Sequence, residues 1–106
     1  MSNLNLNVTN EEKSALVIDT RDNVAVALTD LQKGDLCVLR IGEGFEQVTI
    51  LEPIPFGHKI AIKAIPQNES VIKYGEEIGT ATEAIQLGQW IHTHNLYCGR
   101  AKANGR

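Results

Sequence analysis

Three segments of this chain repeat one short template, and that template restricts the fold more than any other feature. Leu31-Gln32-Lys33-Gly34-Asp35-Leu36-Cys37, Ile65-Pro66-Gln67-Asn68-Glu69-Ser70-Val71 and Ile85-Gln86-Leu87-Gly88-Gln89-Trp90-Ile91 each read apolar, two variable residues, Gly or Asn, an acid or amide, then apolar two positions on. Gly and Asn are the residues that tolerate positive φ, so each copy predicts a tight turn between two extended segments. The copies recur at unequal intervals, which makes them shared turn chemistry and not the period of a solenoid. No stretch of twelve or more residues keeps a helical period. Short strands with turn signals about every ten residues predict a small all-β fold.

A chain of 106 residues supplies one domain. Aromatic residues are only 5% of it, so a core drawn from its 42% hydrophobic residues must consist mainly of Val, Ile, Leu and Ala. A net charge of −3 and a pI near 5.5 argue against nucleic acid as a partner. The first twenty residues have neither a basic start nor a continuous apolar stretch, and no apolar run reaches the roughly 18 residues that span a bilayer. The expected location is the cytoplasm, without a membrane partner. Cys37 and Cys98 lack CxxC or zinc-finger spacing and read as two reduced thiols.

Taken in order, residues 1–13 are Asn-rich and expected to be flexible. ALVID (15–19) suits a buried strand. VAVAL (24–28) can be a strand, from its alternation, or one or two helical turns behind Asp22 or Asn23 as N-cap. LCVLRI and EQVTILEPI flank Gly42-Glu43-Gly44 as a hairpin, after which Pro53 and Pro55 force an exposed, extended path. IAIKAI and SVIKYG are further strands, with Tyr74 expected in the core and Glu76 and Glu77 in a solvated loop. The tail, 98–106, is expected to be flexible, which leaves 14–97 as the folded domain.

Chemistry concentrates in two places. GQWIHTHNLY (88–97) holds the only Trp and two of the three His residues; read as a strand, it sets Trp90, His92 and His94 on one face. PFGHK (55–59) holds the third histidine at a Pro/Gly turn, and we expect the two stretches to meet in space. Histidine suits acid/base work near neutral pH and metal ligation, and Lys59 can hold a carboxylate as a point charge. The duller readings are a strand end with solvated imidazoles, a turn-capping His58, and Asn95 as a turn or cap residue. His58 and Lys59, as strand neighbours, point apart unless the Gly57 turn brings them together. No GxGxxG, phosphate loop, GxSxG or HExxH occurs.

Residues 22–97, with DNVAVALTDLQKGD, PFGHKIAIKAI, VIKYGEEIG and WIHTHNL, resemble the N-terminal domain or small subunit of the altronate and galactarate dehydratases, a type of chain that also serves as the small subunit of sulfolactate sulfo-lyase. The resemblance implies a β-clip (SAF-like) fold. It also implies β-elimination from a hydroxy acid: water from a sugar acid to leave a 2-keto-3-deoxy acid, or sulfite from sulfolactate. It further implies Fe2+ as cofactor, an anionic sugar acid or sulfolactate as ligand, and a large catalytic subunit as partner, without which the chain is expected to be inactive. On that reading His58 and Lys59 are the catalytic candidates, Lys59 and Asn95 the substrate contacts, and His92 and His94 the metal ligands. The alternative from a different class is a non-catalytic binding or assembly module.

Overall fold

All three template copies turn where their Gly or Asn stands, with φ of 90° at Gly34, 76° at Asn68 and 90° at Gly88. The computed structural model describes residues 12–98, so the expected flexible ends lie almost wholly outside the described residues. Each turn is held the same way. The N–H of the positive-φ residue donates to a facing segment (Gly34 to Ile50 O, Asn68 to Ala81 O, Gly88 to Ala61 O), and that residue donates back to the next carbonyl, of Asp35, Glu69 or Gln89. A fourth copy was hidden in the sequence. Ile54-Pro55-Phe56-Gly57-His58-Lys59-Ile60 has φ of 86° at Gly57 and the same exchange with Ala27. Histidine occupies the place of the acid or amide, which is why the template does not show it.

The copies associate in pairs through their leading apolar residues, Leu31 bridging Ile54 and Ile65 bridging Ile85. Their trailing apolar residues, Cys37, Ile60, Val71 and Ile91, are all fully buried. The turns thus pin both ends of each seven-residue unit into the core, and the strands between them stay short.

Nine strands result among the described residues: β1 (Ser14–Val17), β2 (Val24–Ala27), β3 (Leu36–Ile41), β4 (Gly44–Thr49), β5 (Lys59–Ala61), β6 (Ser70–Lys73), β7 (Glu76–Ala81), β8 (Trp90–Ile91) and β9 (Leu96–Tyr97). They form a six-stranded sheet in the order β4-β3-β1-β2-β5-β8 and a three-stranded sheet in the order β6-β7-β9. There is no helix among the described residues, so the all-β expectation holds and β2 takes the strand reading of VAVAL. None is long and apolar enough to cross a membrane.

Two core clusters lie against these sheets, one gathering Val17, Leu39, Ile50, Ile54 and Ile60, the other Val24, Val71, Ile85, Ile91 and Leu96. β5 and β8 serve both, because alternate side chains point to opposite faces: Ile60 and Trp90 pack on the first cluster, Ala61 and Ile91 on the second. Asp22 and Asn23 join the sheets without capping a helix. The buried Asp22 carboxylate accepts from Gly75 N (2.8 Å) and Asp19 N (3.1 Å), and the Asn23 amide accepts from Ile72 N and donates to Ser70 O.

Three expectations are corrected. Glu76 and Glu77 lie in β7, paired with β6 across a tight Tyr74-Gly75 turn. Tyr74, at φ 58°, is exposed with the Lys73 ammonium 4.8 Å from its ring centroid, so it is not core. WIHTHNLY is not one strand: β8 ends at Ile91, and His92–Asn95 form a turn into β9.

Candidate functional site

The antiparallel register of β5 and β8 sets Ile60 opposite Trp90 and Lys59 opposite Ile91. One step further along that ladder, His58 faces His92, and their ring centroids are 4.9 Å apart. The two stretches singled out in the sequence do meet. Trp90 lies on the same face and gathers the rings. Its indole stacks on His92 at 5.1 Å with only 9° between planes, and it meets His58 at 5.7 Å and His94 at 5.3 Å, both tilted. The indole N–H donates to His58 Nδ1 at 3.2 Å.

The turn that breaks the strand after Ile91 depends on Asn95. Its fully buried side chain accepts from His92 N (2.9 Å) and donates to Trp90 O (2.8 Å), while the backbone N–H groups of Asn95 and Leu96 both close on His92 O. Both ends of the amide are thus engaged by the chain's own backbone, the turn and cap role weighed for it in the sequence. The bend leaves His92 half-buried over the indole and His94 exposed. Glu52 also holds the site, its carboxylate accepting from Trp90 N at 3.0 Å. No local signal marked Glu52, because the contact spans 38 residues and follows from the path set by Pro53 and Pro55.

His58 is available for this cluster because of its own turn. In two other copies the residue at its position caps the turn, Asp35 accepting from Gln32 N and Gln89 from Gln86 N, each at 2.8 Å. In the His58 copy the corresponding residue is Pro55, which has no N–H to cap. The imidazole is therefore released toward Trp90.

Lys59 takes the other face of β5. Burial of its side chain holds its ammonium below the ordinary lysine value, Lys73 adds to that by like charge, and Cys98 opposes it. The Gly57 turn does not bring Lys59 to the imidazoles, so the sheet separates the two residues offered as one catalytic pair. Beside the Trp90 indole on the first face lies a cleft of about 300 Å³, walled mainly by Leu31, Ile54, Pro53 and Pro55, with Asp30 and Gln32 at its polar margin.

Fe2+ calls for several converging imidazole, thiolate or carboxylate ligands. Among the described residues no three His, Cys, Asp or Glu side chains converge to hold a metal ion. His92 and His94 each face the indole, so this chain does not by itself enclose an ion.

A family model for the SAF domain of altronate/galactarate dehydratases matches residues 13–98. The chain belongs to this family. That match spans all nine strands and all four turns of the SAF domain. Relatives include an altronate dehydratase of Bacillus subtilis, 41% identical over 83 residues, and an L-threo-forming galactarate dehydratase of Escherichia coli, 38% identical over 87. These alignments cover 78% and 82% of the present chain but only 16% of each enzyme. The SAF domain is thus about one sixth of the length of these relatives. A (2R)-sulfolactate sulfo-lyase subunit alpha of Paracoccus pantotrophus is 40% identical over 60 residues, which is 57% of this chain and 90% of that subunit.

Proposed function

We propose that this chain is the small, β-clip component of a two-part lyase of the altronate dehydratase type. In that reaction a base takes the proton next to the carboxylate, the C–H pair forms a carbon–carbon double bond, and the neighbouring hydroxyl, protonated by an acid, leaves as water. The resulting enol becomes a 2-keto-3-deoxy acid. The chain's share is a set of imidazoles near the reacting centre, with His58 handling protons or substrate oxygens. Were Fe2+ bound, His92 and His94 would be its imidazole ligands from this chain, the large subunit would furnish the rest, and the ion would supply positive charge to stabilise the developing enediolate. Asn95 serves as the shaper of the turn that presents these rings, and Lys59, on the far face, is left to a separate anion contact.

The observation that carries this reading is the facing of His58 and His92 across β5 and β8 around the Trp90 indole, within the segment matched by the family. A second reading, a sulfolactate sulfo-lyase small subunit, is favoured by the 90% coverage of a subunit alpha. It requires the same proton abstraction, with sulfite leaving in place of water, so the imidazoles keep their roles. A cytoplasmic setting belongs to both readings and suits the free Cys37 and Cys98 thiols.

The test is turnover of altronate, galactarate and 3-sulfolactate by this chain purified with a dehydratase-type large subunit, with and without ferrous iron. Product from one acid, only when both chains are present, is the expected result. A stable complex that turns over none of the three would remove the lyase reading in favour of an assembly module.

A further inference from the structure

The indole bond to His58 fixes more than the ring's position. An indole N–H can only donate, so the His58 Nδ1 that receives it at 3.2 Å must present a lone pair. A neutral imidazole carries one proton, which is then on Nε2. The hydrogen bond made by one ring nitrogen thus selects the state of the other. Among the described residues nothing else donates to Nδ1. Pro55 has removed the N–H that this side chain would otherwise cap, and among the described residues Trp90 is the one side chain hydrogen-bonded to the imidazole. The backbone of His58 is engaged separately, its N–H with Pro55 O and its carbonyl with Ala27 N.

We propose that Trp90 is a positioning residue that locks neutral His58 with its proton on Nε2, so that His58 meets a bound hydroxy acid as a hydrogen-bond donor to oxygen, not as an Nε2 base or metal ligand. The ligand class rests on the lyase reading above; the locked tautomer does not. In the elimination, such a donor suits the carboxylate or the departing hydroxyl, and abstraction of the carbon-bound proton falls to the large subunit.

The experiment is NMR on the full, isotopically labelled chain, reading the protonation of each imidazole nitrogen and the nitrogen–nitrogen coupling across the Trp90–His58 hydrogen bond. Wild-type protein is expected to show that coupling, with the His58 proton on Nε2. Trp90→Phe keeps an aromatic ring beside His92 but lacks the N–H, and is expected to lose the coupling and to populate the Nδ1–H form. A wild-type spectrum with the proton on Nδ1, or with no coupling between the two residues, overturns the proposal. That measurement decides even if Trp90→Phe fails to fold. Coupling in a chain whose complex shows no lyase activity upholds the tautomer lock and removes the lyase reading alone.

Discussion

Asn95 and Cys37 show how far single buried groups govern this domain. The Asn95 amide satisfies one backbone donor and one backbone acceptor inside the His92–Asn95 turn. Removing it in Asn95→Ala strands both, at about 1–3 kcal/mol for a buried unsatisfied group, and releases His92 from the indole. Urea titration followed by Trp90 fluorescence measures both effects, and an unchanged midpoint would contradict this role. Cys37 is fully buried, and desolvation pushes its thiol up to about 11, with Asp35 and Glu12 adding to it. Because the folded value lies above the ordinary thiol value of 9.0, the stability linked to it is complete below pH 9 and is lost as pH rises towards 11. Peptide mapping after alkylation of the native chain at pH 8 is expected to find the exposed Cys98 modified and Cys37 untouched. At the acid end Asp19, held down to about 2 by its bonds from Arg21, keeps that exposed ion pair until pH falls through 2.

At the scale of elements, the recurring turn decides where strands end, and its copies differ in what a side chain would meet. Gly34 and Gly88 share φ of 90°, but a Cβ at Gly34 would stand in open space, whereas at Gly88 it would collide with the Thr49 carbonyl. Gly34→Ala is therefore expected to cost about 1 kcal/mol, the conformational term alone. Gly88→Ala should cost at least twice that and disturb the adjoining Trp90; thermal melts of the pair read the difference, and equal losses would refute it. These turns were legible in the sequence because Gly or Asn at a fixed offset from buried apolar residues is a local signal. The Pro/Gly turn at Gly57 was legible too, but not as a fourth copy, since His58 replaces the acid or amide. The end of β8 was not legible either. His92, Thr93 and His94 alternate as a strand would, and only the tertiary burial of Asn95 bends them. Tyr74 reads as core by its chemistry, yet the tight hairpin into β7 turns it outward.

For the whole molecule, the sequence indicated the all-β class and that residues 55–59 would meet residues 88–97, because the turns force short strands that must pair. It also set Trp90, His92 and His94 on one face and His58 and Lys59 apart, but not His58 against His92 and the indole, since that follows from the β5–β8 register. The most direct measurement of the central claim is the kcat of the complex between this chain and the proposed large subunit, comparing wild type with His58→Ala and His92→Ala. His58→Ala is expected to lower kcat by about 10²–10⁴-fold, the range for a positioned acid, and His92→Ala to lower it through the lost metal ligand, while the complex still forms at wild-type affinity. Wild-type turnover in both variants would contradict the account and leave this chain as an assembly module.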